Sequence, residues 1–372
     1  MRFNISKTVL SSSLSLVNSV TERKNTIPIL KNVKLEIIAD KLLLSATDMD
    51  ILSESKIDIL EEENGKTTVP AQLFYDIVKK IPDDKIITVN LDQENSQLKI
   101  EYDKSKFSIP SLDTEEFPIL GDDDMDIEFE MPAVELAKLI DNTKFAMATD
   151  ETRHYINGIF LHSIKDEEGK VIVKIAATDG HRLAVSSSSL STLKDEISGV
   201  IIPKKTVHEI RKTIESKKDV KILISRTKIK IITGNNILIS KVVDADFPDY
   251  KRIIPQDNEN IATINKKEFS EAIDRVATVI ITKDHKTLKL LLTENNVKLS
   301  ANTNDGSFAD EELAIQYDQE NFNISFNPQY LLEILNHIKE DKIQLKLKND
   351  TTPALISSAD SNNIYVILPI RV

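Results

Sequence analysis

Apolar positions along this chain switch between two periods at regular intervals. Val9, Leu10, Leu14, Val17 and Val20 recur at helical spacing, and MPAVELAKLIDNTKFAM (Met131 to Met147) and NKKEFSEAIDRVATV (Asn265 to Val279) repeat that pattern further on. Alternating stretches such as GIFLHSI and KVIVKIA follow, joined by the polar KDEEG, and such alternation predicts half-buried antiparallel strands. A polar turn and a third strand come next, in a passage written three times: LLLSATDMDILSESKI (Leu42 to Ile57), VKIAATDGHRLAVSSS (Val173 to Ser188) and VKLSANTNDGSFADEELAI (Val297 to Ile315). A second helix follows each copy, in VPAQLFYDIVKKIPDDKI from Val69, IPKKTVHEIRKTIESKKDVKI from Ile202 and NPQYLLEILNHIKEDKIQL from Asn327. Pro70, Pro203 and Pro328 stand at or just before its first turn, where a missing N–H costs nothing. Three more strands close each copy, as in VKILIS, IKIITG and ILISKVV.

Two independent markers give one period. Ala46, Ala177 and Ala301 lie 131 and 124 residues apart, and the three prolines 133 and 125 apart. That exceeds a solenoid repeat several-fold, so the chain reads as three tandem α+β domains, each two modules of a helix plus antiparallel strands, with sheets on one surface and helices on the other. The expected boundaries are 1–125, 126–255 and 256–372, with the polar runs GDDDMDIEFE and PQDNEN as exposed connections.

Composition removes most chemistry. The 372 residues include no cysteine, which excludes disulfides, thiolate nucleophiles and Cys-ligated metals and points to a reducing, cytoplasmic setting. The serine-broken N-terminal stretch lacks a small-x-small cleavage site, and no apolar run approaches the roughly 18 residues of a membrane span. With 8 glycines, none spaced as GxGxxG or a P-loop, nucleotide binding by those routes is excluded. The six histidines lack metal-ligand spacing, so no metal or cofactor is expected. Asp179 and His181 read as a tight turn rather than part of a triad, and Asp48 with Asp50 as turn chemistry rather than a two-metal or glycosidase pair. No catalytic constellation remains, so an enzyme is not expected.

RHYINGI (Arg153 to Ile159), TDGHRLA (Thr178 to Ala184), KVVDADFPDYKRIIP (Lys241 to Pro255), NTIPILKN (Asn25 to Asn32) and the terminal YVILPIRV (Tyr365 to Val372) together resemble the bacterial DNA polymerase III beta subunits, the sliding clamps. The resemblance spans the whole chain, all three repeats in order. It implies the DNA clamp fold, closing as a head-to-tail homodimeric ring with helices inside and sheets outside, a processivity factor that encircles duplex DNA and tethers replicative and repair polymerases and a clamp loader. A DNA-independent three-domain scaffold is the competing reading.

The net charge of −12 is the wrong sign for tight phosphate binding. The six helical windows nevertheless sum to +4, leaving −16 elsewhere, as suits a ring that holds DNA by topology with weak, base-independent contacts. Candidate DNA contacts are Lys24, Arg153, His154 and Tyr155, with Lys204 and Lys205 from the most basic helix.

For partners, the resemblance carries a peptide-binding pocket onto Ile156, Thr178, Gly180, His181, Arg182, Leu183, Pro248, Arg252 and Ile253, and onto the tail Val366, Ile367, Leu368, Pro369, Ile370, Arg371 and Val372. Apolar residues dominate that set. A concavity rimmed by Arg182 and Arg252 suits a short Leu/Phe-rich peptide with a polar or acidic end. Pro369 cannot donate to a sheet, so the last residues are expected to leave the ladder and wall the pocket. For the dimer, the resemblance joins Phe107 and Ile109, sharing one face of the first domain's last strand, to Thr278, Val279 and Ile280 after the third domain's first helix.

Overall fold

The structure is a computed structural model describing residues 1–22, 27–121, 125–190, 193, 196–214, 219–280, 287–303, 306–358 and 362–371. The first repeat runs β1 (Arg2–Ser6), α1 (Lys7–Asn18), β2 (Asn32–Ile38), β3 (Lys41–Thr47), β4 (Ile51–Asp58), β5 (Leu60–Glu63), β6 (Lys66–Pro70), α2 (Ala71–Lys80), β7 (Ile86–Asp92), β8 (Gln97–Tyr102) and β9 (Ser105–Pro110). The second runs β10 (Ile127–Pro132), α3 (Ala133–Asp141), β11 (Gly158–Lys165), β12 (Val171–Thr178), β13 (Arg182–Leu190), β14 (Val200–Pro203), α4 (Lys204–Thr213), β15 (Asp219–Ile224), β16 (Lys228–Thr233) and β17 (Asn236–Lys241). The third runs β18 (Asn260–Asn265), α5 (Lys266–Ala277), β19 (Leu288–Thr293), β20 (Asn296–Asn302), β21 (Phe308–Ala314), β22 (Phe322–Phe326), α6 (Pro328–His337), β23 (Lys342–Leu347), β24 (Ala354–Ser357) and β25 (Asn363–Ile367). Apart from β5, the three orders are identical.

Two strand types in each repeat escaped the periodicity. β1, β10 and β18 precede the first helices and pair with β7, β15 and β23, whereas β6 and β14, ending at Pro70 and Pro203, pair with β2 and β11. The run GDDDMDIEFE is therefore not all connection, because Ile127 to Glu130 belong to β10.

Contacts divide the chain into two compact units that cut across the repeat: residues 1–137 with 205–242, and residues 138–204 with 243–372. The first unit holds a five-stranded sheet, β5-β1-β7-β8-β9, and an eight-stranded sheet, β10-β15-β16-β17-β4-β3-β2-β6. Leu10, Leu14 and Val17 of α1 and Phe74 and Val78 of α2 are buried in its core with Phe3, Val33 and Ile100. These spacings place one apolar stripe of each helix on the sheets. The second unit holds an eight-stranded sheet, β14-β11-β12-β13-β25-β24-β23-β18, and a four-stranded sheet, β21-β20-β19-β22. Phe269, Ile273 and Val276 of α5 and Leu331, Ile334 and Leu335 of α6 are buried there.

Each eight-stranded sheet is a fusion. In the first unit β17 of the second repeat pairs with β4 of the first, and in the second unit β25 of the third pairs with β13 of the second. The strand after the repeated turn is thus where successive repeats are sewn together.

Candidate functional site

The repeated turn is built by its own side chains. Asp179 Oδ1 accepts from the backbone N–H of His181 (2.9 Å) and Arg182 (3.1 Å), while Thr178 Oγ1 accepts from Gly180 N–H and donates to the Arg182 carbonyl (2.7 Å). In the first repeat Asp48 Oδ1 accepts likewise from Asp50 and Ile51, and Thr47 Oγ1 from Met49. Gly180 takes φ 91°, a left-handed value that costs glycine little, and Met49 takes φ 81° at the matching place. Asp48 and Asp179 are occupied in capping these turns.

The turn delivers β13 to the site. Leu183, Tyr250 and Val366 are buried in one apolar cluster, with Phe247, Ile253 and Ile254 packed against it half-buried. Leu183 and Val366 face each other across the β13–β25 pairing, and Tyr250 sits on a short 3-10 turn, Tyr250–Arg252, that follows Pro248. β25 ends at Ile367. Leu368 N–H then donates to the His181 carbonyl (2.9 Å) and Ile370 N–H to the Ser325 carbonyl (2.7 Å), so the tail leaves the ladder at Pro369, as its missing N–H requires, and ties β13 to β22. Leu368 is exposed, and Pro248, Ile253, Pro369 and Ile370 are half-buried. Together they are the apolar surface this region offers. Ile156, Thr178 and Ile367 are buried beneath it, and Val372 lies outside the described residues.

The matching place in the first unit is polar. Lys241 N–H donates to the Asp50 carbonyl (2.9 Å) as Leu368 does to His181, but the Lys241 side chain pairs with Asp50 and Lys205 pairs with Asp48 (2.5 Å). An apolar chain end separates the second seam from the first.

Arg182 does not rim the concavity as a free cation. Its guanidinium is buried, bonded to Asp179 (3.0 Å), Glu333 (2.5 Å) and the Phe145 carbonyl (2.7 Å), and stacked at 4.5 Å from the Tyr330 ring and 5.2 Å from Phe145. Such a charge is too well satisfied to serve a ligand. Arg252 is the exposed one of the two, its side chain 86% exposed and paired with Asp249 (2.8 Å). His181 is exposed on the edge, stacked on Tyr330.

Beneath the apolar surface lies an aromatic stack that sequence reasoning missed. Phe160 and Phe247 lie parallel at 4.9 Å, and His162 Nε2 shares a 2.8 Å hydrogen bond with the Tyr250 hydroxyl, its partner 88 residues away. The available signal was the FPDY segment, whose aromatic rings need a buried floor. Burial, with Lys251 and Lys174 nearby, pushes His162 down to about 4, and burial pushes Tyr250 up to about 12. The unfolded chain takes up this proton near pH 6.5 and the folded chain only near 4, so the neutral ring's contribution is complete above 6.5 and is lost as pH falls toward 4. Urea titrations should show stability falling by up to about 3 kcal/mol over that window, and His162→Gln, which cannot titrate, should flatten the slope.

The DNA candidates are differently placed. His154 and Tyr155 are exposed, ring edge to face, whereas Arg153 donates to the Asp179 carbonyl (2.9 Å) beside Asp150. Lys204 is half-buried. Lys205 is neutralised by Glu22 (3.0 Å) and Asp48, so its charge is spent within its own unit. Lys24 lies outside the described residues. Of the dimer candidates, Phe107 is 38% exposed and stacked on Tyr102, Thr278 is exposed, and Val279 and Ile280 are half-buried. Ile109 does not project outward. At 2% exposure it belongs to its own unit's core cluster, which does not include Phe107.

Three family models match the chain in order: the N-terminal domain of the DNA polymerase III beta subunit over residues 1–121, the central domain over 130–249 and the C-terminal domain over 251–371. The beta sliding clamp of Caulobacter vibrioides is 36% identical over all of both chains. A sliding clamp from Bartonella birtlesii, solved bound to griselimycin, superposes with a TM-score of 0.95 at 37% identity, covering all of both chains. The Caulobacter crescentus clamp, solved with polyethylene glycol at a putative beta-motif tethering region, gives 0.95 at 34% identity over 100% of this chain and 99% of that one. The repeated β-α-β order, the turn-capped seams and these matches lead to one assignment: the chain belongs to the DNA polymerase III beta subunit family, the beta sliding clamps.

Proposed function

We propose that two copies of this chain close head to tail into a ring around duplex DNA, with the three repeats (1–125, 126–255 and 256–372) as its successive segments, helices within and sheets outside. The ring tethers polymerases and the clamp loader through the apolar surface at the end of β13 and β25, which accepts a short Leu/Phe-rich peptide. The observation that carries this is full-length membership of the clamp family together with an apolar tail surface at the second seam. Charge supports the division of labour. Over their observed bounds α1 to α6 sum to +3 in a chain of −12, enough for sliding contacts and too little for tight, salt-sensitive binding. His154, Tyr155, Arg153 and Lys204 are the proposed DNA contacts in the second unit, and Lys24, outside the described residues, is a further proposed contact.

The protein does no chemistry of its own in this reading: it works by topology, in the cytoplasm, without a cofactor. Among the described residues no helix is long and apolar enough to cross a membrane, and no group of His, Asp or Glu is arranged to hold a metal. The test is retention. Loaded onto nicked circular DNA by a clamp loader with ATP, the protein should stay on the circle and run off within seconds once the circle is cut. Equal retention on both forms would leave a DNA-independent scaffold as the better reading.

A further inference from the structure

Beside the apolar surface of the second seam stand two lysines, Lys174 and Lys251, that form no ion pair among the described residues. Alternation along β13 puts Leu183, Val185 and Ser187 on one face, and strand pairing carries that face sideways: Leu183 lies between Thr178 and Val366, while Ser187 lies opposite Lys174, itself opposite His162. Lys174 thus shares a face with the peptide surface, four residues further from the turn. At about 3.3 Å per residue that is about 13 Å. The second cation arrives with the 3-10 turn. His162 is bonded to the Tyr250 hydroxyl (2.8 Å), and Lys251 follows Tyr250 in that turn, so both ammonium groups lie near enough to act on the His162 ring.

Their lack of partners contrasts with other half-buried lysines. Acidic residues outnumber basic ones by 60 to 48, and Lys34 is matched by Glu36 (2.6 Å), Lys85 by Asp103 (2.9 Å) and Lys205 by Glu22 (3.0 Å) and Asp48. Lys174 is half-buried as they are, yet burial and then Lys251 hold its ammonium below the usual lysine range. Asp249, the acid beside the turn, is taken by Arg252 (2.8 Å). Like charges gathered in a half-buried place are costly until an anion joins them.

We propose that Lys174 and Lys251 receive an acidic segment of the same partner peptide whose Leu/Phe anchor occupies the apolar surface, about four extended residues from that anchor. The inference rests on the peptide surface proposed above and adds a second element of recognition to it. Continuity decides the class of partner. Both cations adjoin the face that carries Leu183 and Val366, and carboxylates spaced from an apolar anchor describe a peptide, whereas a nucleic acid strand would find use only for the cations. Charge decides the place. In a chain of −12 most of the surface repels an acidic segment, so two unpaired cations beside the anchor site select where such a segment lies.

The test uses full-length protein and three labelled peptides: a Leu/Phe anchor alone, and the same anchor carrying a short Gly/Ser spacer and a pair of glutamates at its N-terminal or its C-terminal end. At low salt one extended peptide should bind about three- to tenfold more tightly than the bare anchor, as two exposed charge pairs allow, and the gain should shrink at roughly 0.5 M salt. Lys174→Gln combined with Lys251→Gln should remove the gain and leave the bare anchor's affinity unchanged, which also shows the variant to be folded. Lys251→Gln alone, at an exposed position, should remove part of the gain even if the double variant does not fold. No gain in the unaltered protein, or a gain that survives the substitutions, overturns the proposal, whereas failure of the bare anchor to bind at all overturns the peptide surface itself. A labelled single-stranded oligonucleotide whose affinity falls with the two substitutions, while the peptide gain stays, would assign the cations to phosphate instead.

Discussion

Deleting Leu368 to Val372 is expected to abolish binding of a Leu/Phe-containing polymerase peptide while leaving the dimer intact. The deletion begins beyond β25, so Val366 and Ile367, which are buried in the sheet, remain. What goes is an exposed Leu368, a half-buried Pro369 and Ile370, and two backbone hydrogen bonds to the His181 and Ser325 carbonyls. Losing one buried anchor from an interface costs about 2 kcal/mol or more, so losing Leu368 and Ile370 together should weaken the peptide by at least about 100-fold. Titration of labelled peptide against full-length and truncated protein measures this, with native mass checked in parallel. Unchanged affinity in a truncated, intact dimer would remove the tail from the site.

Replacing Arg182 by alanine should destabilise the second unit by about 3–5 kcal/mol, the range for stranding one partner of a buried ion pair. The loss has several parts. Asp179, itself buried, loses its charge partner, the Phe145 carbonyl loses a donor, and the Tyr330 and Phe145 rings lose the guanidinium packed between them. Glu333 is about half exposed and water replaces much of what it loses, so it adds little. Arg252→Ala is the matched control: its side chain is almost fully exposed, and stability should change by less than about 0.5 kcal/mol while affinity for an acidic-ended peptide falls. Urea unfolding of both variants checks the contrast, and equal, small changes would show that the buried network around Arg182 contributes nothing.

The two arginines show where reading from sequence works and where it stops. Arg182 and Arg252 look alike in a string of letters, and both were expected at the rim. One is drawn inward by Glu333, 151 residues away, and by Phe145, 37 residues away. Nothing local in TDGHRLA encodes that. The turn beside it was legible, since Thr178 and Asp179 cap their own backbone within four residues. Likewise Phe107 and Ile109 share a strand face by alternation, a local rule, yet only the packed unit decides that Ile109 is covered and Phe107 is not. Lys205 is a basic helix residue by its place in the sequence, yet Glu22 and Asp48 lie beside it and neutralise it.

By itself the sequence determined what depends on neighbours in the chain: six helices from their 3.6-residue stripes, alternating strands, self-capping turns, and three repeats from two markers at one period. The opening strands β1, β10 and β18 escaped because five or six residues are too few for periodicity to speak, and their partners lie 77 to 97 residues on. Only the tertiary structure decided the rest. It paired β17 with β4 and β25 with β13, so that the compact units differ from the repeats, and it left β9 and β21 as open edges. It also placed Tyr250 on His162 and set an apolar tail against β13. Those choices are long-range pairings of backbone and burial of particular side chains, and their energies come from contacts between segments that a local pattern never brings together.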